Sequence, residues 1–283
     1  MSYFPKTIFM LATLTISQSQ QVANSYCNRQ LCPQGGPHIA CNGLTRPAAS
    51  CGPDARETPM DEAKRSLIVD RHNRLRSKVA TGRQSYGSGA LYPEASRMAT
   101  LQWDAELAGI AAANARRCVF GHDKCRNTVS FPYAGQNIAQ RSYQGVAITD
   151  EALIEQFIND WFSEADVASP NLIARYPSRY SGPAIGHFTQ IVSDRTTRVG
   201  CSLVSYRQGR WNVQYFVCNY ALTNMINQPV YVSGKACSRC TTGFGFHGVP
   251  WTFAGCAWPT AVPIAPVVWF VSEVLEICSH SKR

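Results

Sequence analysis

The clearest hydrophobic–polar pattern in the chain is a repeat of three and four residues, found in three separate stretches. "TPMDEAKRSLIVDRHNRLRSKVATG" predicts a helix over 58–82, with Thr58 as cap, Pro59 at its first position and Gly82 as its stop. Asp61 and Glu62 favour its N-terminal dipole. His72 lies inside it and reads as a packing or hydrogen-bonding histidine. "WDAELAGIAAANARRC" predicts a second helix with Leu107, Ile110 and Ala111 inward, ending at Cys118. A third, "TDEALIEQFINDWFSEA", starts at a Thr149 cap and buries Leu153, Ile154, Phe157, Ile158 and Trp161. Glu164 continues that inward stripe, so it needs a partner, because burying a lone carboxylate is costly.

Strand-like alternation follows. "GHFTQIV" (186–192), "RVGCSLVSY" (198–206) and "WNVQYFVCNY" (211–220) read as strands, the last two joined through "RQGR" as an antiparallel hairpin. In a strand, His187, Thr189 and Ile191 would share one face. His187 could then be a ligand or catalyst, or a core histidine with both nitrogens satisfied. Cys201 and Cys218 lie in the hairpin's two arms and could bridge it. Helices packed on a small antiparallel sheet predict an α+β fold, an α/β/α sandwich.

The two ends of the chain differ from this middle. "MSYFPKTIFMLATLTISQSQQVANSYC" carries a lysine, a short apolar run and small or polar residues, which predicts a secretory signal peptide over 1–23. Residues 24–57 hold four cysteines among Gly, Pro and Asn and read as stapled loops. The folded domain is expected over 58–233, and a Cys-rich, apolar tail over 234–283. Three prolines (Pro259, Pro263 and Pro266) interrupt the uncharged stretch 253–271, so membrane anchoring is not expected.

Composition narrows the function. Of 283 residues, 12 are cysteines, an even number that in a secreted chain implies disulfides rather than zinc ribbons. The net charge of +9 is scattered rather than clustered, which points away from nucleic acid and allows anionic surfaces. No GxSxG elbow or ordered Ser–His–Asp set is present, so no hydrolase is singled out.

Several blocks in order resemble the CAP superfamily (cysteine-rich secretory proteins, antigen 5, pathogenesis-related 1), and within it the insect antigen 5 branch. They are "YCNRQLCPQGGPHIACNG", "HNRLRSKVATG", "WDAELAGIA", "GHDKCRNT", "AGQNIA", "GHFTQIV" and "YFVCNY". There are departures: Ser193 stands where the family usually has Trp, and "CNYALTNMI" replaces a Pro- and Gly-containing continuation. The resemblance implies disulfides pairing Cys27 with Cys41, Cys32 with Cys125, Cys51 with Cys118, and Cys201 with Cys218. Cys237, Cys240, Cys256 and Cys278 would pair among themselves in one of three ways.

It also implies an open cleft holding His122, Gln136, Glu164 and His187. His122 and His187 become candidate metal ligands for a divalent zinc or copper ion, although a catalytic zinc normally takes three protein ligands. Gln136, where the family signature has glutamate, supplies a neutral donor and acceptor and removes one candidate proton acceptor. The implied function is a secreted, allergen-like binding or effector protein without a required cofactor. Its ligand would be a sterol or other lipid, a divalent ion or a host protein. The alternatives are a metal-dependent enzyme or redox scavenger using the histidine pair, and a surface-acting interaction protein with a vestigial cleft.

Overall fold

The computed structural model describes residues 25–87, 89–236 and 238–239. The expected signal peptide and the four tail cysteines lie outside the described residues.

Helix α1 (Glu62–Ala80) begins three residues later than the pattern predicts. Asp61 caps it, accepting from the Lys64 N–H at 2.9 Å. Thr58 is held elsewhere: its N–H donates to Leu203 O and its hydroxyl to Asp150 Oδ2. The segment before it forms strand β1 (Arg56–Glu57) instead. At the other end, the N–H of Gly82 (φ +65°) donates to Val79 O and that of Arg83 to Lys78 O. This pair of bonds is a Schellman stop, which needs a left-handed residue where glycine stands.

Two short strands, β2 (Ser85–Tyr86) and β3 (Ala90–Leu91), form a separate ribbon. After β4 (Gln102–Trp103), helix α2 (Ala105–Ala115) is capped by Asp104, and strand β5 (Gly135–Tyr143) follows. The sequence pattern assigned no element to β5. Helix α3 (Asp150–Ser163) starts at Thr149, whose hydroxyl accepts from Ala152 N–H, and buries the five stripe residues expected of it. A short α4 (Pro170–Ala174) leads to α5 (Gly186–Val192), then to β6 (Arg198–Gln208) and β7 (Trp211–Tyr220).

The sheet runs β1-β6-β7-β5, antiparallel throughout, with β4 pairing parallel to the start of β6. Cys201 and Cys218 face each other across β6 and β7 with Cα atoms 4.1 Å apart and are bridged. The larger core joins one sheet face to α1, α3 and α5, through Ile68, Phe157, Trp161, Phe188 and Phe216 among others. The second core sets Ala111 and Ala115 of α2 against Val204, Val213, Tyr215 and Val217 on the opposite face. The result is an α/β/α sandwich. Gly200 lets α2 approach the sheet: a Cβ there would lie 2.2 Å from Ala108 N.

"GHFTQIV" is the main correction, since 186–192 is a helix and not a strand. It has no cap of its own, and its β-branched Thr189, Ile191 and Val192 favour strand. Tertiary contacts supply what local sequence lacks. The Glu164 carboxylate accepts from the N–H groups of His187 (2.8 Å) and Phe188 (3.0 Å) at the N-terminus. At the C-terminus the Arg76 guanidinium donates to Ile191 O (2.7 Å) and Ser193 O (2.8 Å). An anion at one end and a cation at the other both match the helix dipole.

Candidate functional site

The site is assembled at the start of β5, where Gln136 and Asn137 are consecutive and so point to opposite faces of the sheet. On one face, Asn137 donates to the backbone carbonyl of His187 at 3.2 Å. On the other, Gln136 Oε1 lies 2.8 Å from His122 Nδ1. Gly135 just before them is required by crowding, because a Cβ there would come within 2.2 Å of the Gln190 side chain.

His187 occupies the first turn of α5. Its Nδ1 is 2.6 Å from Glu164 Oε1, and its ring stacks on Trp161 with centroids 5.9 Å apart. Trp161 is itself fixed by donating its indole N–H to Ile138 O. Glu164 stands in the 3₁₀ turn that ends α3, where the inward stripe of that helix carries it. With Oε2 taking two backbone N–H groups and Oε1 facing Nδ1, the carboxylate requires that Nδ1 donate. The neutral imidazole therefore presents Nε2 as a lone pair.

His122 lies on the loop between Cys118 and Cys125, and that loop is anchored at both ends by bridges to Cys51 and Cys32. A further bridge joins Cys27 to Cys41. Its Nδ1 faces Gln136 Oε1, so here too Nδ1 donates and Nε2 is left as the acceptor. Behind Gln136 lies a residue that sequence reasoning passed over. The Gln136 amide donates to Asp123 Oδ2 at 2.7 Å and to Asn219 Oδ1 at 2.9 Å. Asp123 follows His122 directly in "GHDKC", but its hydrogen-bond partners Asn114 and Gln136 come from α2 and β5, so adjacency was the only available signal.

The four sequence-predicted residues thus form two contacts, His187 with Glu164 and His122 with Gln136, mounted on adjacent β5 positions. Among the described residues, no three His, Cys, Asp or Glu side chains are grouped where they could hold one metal ion. Imidazole nitrogens suit zinc or copper, so the residues present fit as two ligands without a third. Thr189 is not an available nucleophile: it is fully buried on α5, and its hydroxyl donates to Ile185 O and Gly186 O.

His72 shows the contrasting arrangement. Its Nδ1 is 2.8 Å from Ile68 O and its Nε2 is 2.9 Å from the Tyr220 hydroxyl, with no exposed surface. Burial holds its pKa down at about 4, so it stays neutral. Two concavities lie away from His122 and His187. One, of about 510 Å³, is lined by Tyr26, Arg29 and His38 in the stapled N-terminal loop. The other, of about 420 Å³, lies between β1 and α2 and is lined by Pro59, Met60, Ala108 and Ala112.

The cysteine-rich secretory protein (CAP) family matches residues 69–220, a span that includes the C-terminal part of α1, the His122 loop, β5, Glu164 and His187. The chain belongs to the CAP family. Venom allergen-1 of Aedes aegypti is 44% identical over 219 residues, which cover 77% of this chain and 83% of that protein. Venom allergen 5 of Dolichovespula arenaria is 36% identical over 210 residues, 74% of this chain and 98% of that one. Among solved structures, this CAP protein is similar to the crystal structure of NaASP2 with Zn2+. The TM-score is 0.56 and the identity 29%, covering 65% of this chain and 92% of that one.

Proposed function

We propose that this CAP protein is a secreted, non-enzymatic binding protein whose cleft takes a divalent cation through Nε2 of His122 and Nε2 of His187. The observation that carries the reading is shared by both rings: each Nδ1 faces a side-chain oxygen, which leaves Nε2 as the lone pair. Metal-ligating histidines are commonly oriented this way, by an oxygen behind the other nitrogen. The NaASP2 structure with Zn2+ is consistent with it. A cation bound there would supply a fixed positive charge with open positions for a donor from a partner.

The two acid–base candidates are already engaged. Both Glu164 oxygens receive N–H groups, and Gln136 is a neutral amide, which supports binding over general-base catalysis. The four bridges and the signal-like leader support secretion. An apolar ligand such as a sterol or other lipid is less well supported, since the concavity of about 420 Å³ beside Met60 is also lined by Glu57, Arg116 and Ser202.

Zinc titration of the wild type and of the His122→Ala/His187→Ala double variant tests the cation reading. One wild-type site of roughly micromolar affinity is expected, lost in a double variant that still folds. A wild type that takes up no zinc, or a double variant that binds as tightly, overturns it.

A further inference from the structure

Gln136 is not simply a glutamate that lost its charge. Its outer atom faces two acceptors whose orientations are fixed independently. One is Asp123 Oδ2, 2.7 Å away. The other is Asn219 Oδ1, 2.9 Å away, and Asn219 is oriented because its amide N–H must donate to Leu107 O at 3.3 Å. Only an NH2 group satisfies both, so Oε1 is forced toward His122.

Asp123 is in turn immobile. Its Oδ2 also accepts from Asn114 Nδ2 at 2.7 Å, and Asn114 is set by the Tyr215 hydroxyl donating to its Oδ1. Arg126 Nε lies 2.8 Å from Asp123 Oδ1, an ion pair in which the N–H does not point along the contact. The Asp123 side chain is 2% exposed.

We propose that Asp123 is a positioning residue for the cleft: it dictates a neutral amide at position 136 and, through it, holds His122 with Nδ1 protonated and Nε2 bare. A glutamate at 136 would turn an acceptor toward Asp123 Oδ2 and Asn219 Oδ1 in a buried site, leaving like charges in contact. The carboxylate on this side of the cleft has moved one hydrogen bond back, and the amide transmits its orientation. What the bare Nε2 is for rests on the function proposed above; the orientation itself does not.

The test needs no metal. Long-range 1H–15N NMR of the wild type at about pH 8 is expected to show His122 with protonated Nδ1 and unprotonated Nε2. Gln136→Glu is expected to lower Tm by roughly 5 °C or more. Adding Asp123→Asn, which removes the like charge facing the new carboxylate, is expected to recover part of that loss, since the contacts to Asn114 and Asn219 stay mismatched. If Gln136→Glu does not fold, folded double variant supports the pairing, and an unfolded one overturns it. A proton on Nε2 in the wild type, a Gln136→Glu as stable as wild type, or a double variant no better than the single also overturns it. A protein that shows this tautomer and rescue yet takes up no zinc would sink the cation reading and leave the role of Asp123 standing.

Discussion

The two histidine contacts on either side of β5 solve one problem with different chemistry. His187 is held by charge: the Glu164 carboxylate takes its Nδ1–H together with two backbone N–H groups, and the ring lies on Trp161. His122 is held by a neutral amide on a disulfide-anchored loop, with the charge of Asp123 one bond further in. On the first half the side chain that orients the histidine also caps the helix carrying it, so geometry and stability are coupled. On the second half the loop is fixed by covalent bridges, and the imidazole can be oriented with little stability at stake.

The strongest way to break the comparison is to disturb the charge-held half at its far end. Arg76 has no exposed surface, and burial brings its pKa down to about 9. It donates to the carbonyl of Ala99, in the segment before β4, and to those of Ile191 and Ser193 at the end of α5. Arg76→Met leaves those carbonyls without partners and is expected to cost about 4 kcal/mol, measured by urea denaturation. A loss under about 1 kcal/mol would mean that α5 does not depend on its charged C-terminal contact.

His72 sharpens the comparison by pH. Asn137, which holds the His187 carbonyl, also donates to the Tyr220 hydroxyl at 3.3 Å, and that hydroxyl faces His72 Nε2. The folded pKa of His72, about 4, lies below its unfolded value of 6.5. Between those values the unfolded chain binds the extra proton, so this contribution is fully present above pH 6.5 and is lost as pH falls toward 4. The loss approaches about 3 kcal/mol. His72→Gln retains a donor and an acceptor but does not titrate; its stability should lack this segment of the pH profile, and an unchanged profile would assign the dependence elsewhere.

These contacts also show where the sequence could be read and where it could not. The α3 stripe runs inward at Leu153, Ile154, Phe157, Ile158 and Trp161 because a period of 3.6 is a local property. It carried Glu164 to a position that demanded a partner. The helix at 186–192 could not be seen in the same way. Its alternation is genuine strand signal, and the residues that override it, Glu164 and Arg76, lie 23 and 115 positions away in their bonds to His187 and Ile191. Thr58 and Asp61 are both good caps by type; a bond from Thr58 to Asp150, 92 residues on, decides between them. Asp123 escaped for the same reason, since its meaning depends on Asn114, Gln136 and Asn219 converging from three elements.

A smaller change tests the charge on the first half directly. Glu164→Gln preserves shape but cannot accept at both ends of the side chain. It must turn its NH2 toward either the two backbone N–H groups of α5 or the His187 ring. The expected cost is about 2 kcal/mol, read from chemical denaturation. If the NH2 faces the ring, Nδ1 becomes the acceptor and Nε2 takes the proton, so zinc uptake should weaken along with stability. Full retention of both would mean that the carboxylate's charge is not what orients His187.

The smallest effect discriminates most sharply between the halves. His187→Ala removes the stacking on Trp161 and leaves Glu164 Oε1 without its donor at a side chain only 13% exposed, for which about 1.5 kcal/mol is expected. His122→Ala removes one hydrogen bond from an exposed residue, and Gln136 keeps its bonds to Asp123 and Asn219; less than about 0.5 kcal/mol is expected. Zinc uptake, by contrast, should fall similarly in both single variants if the two Nε2 atoms share one ion. Unequal stability with equal loss of zinc is therefore the signature of a single binding site built on two unlike supports. Equal stability losses would remove the asymmetry between the halves, and a zinc affinity that depends on only one histidine would place the ion on that half alone.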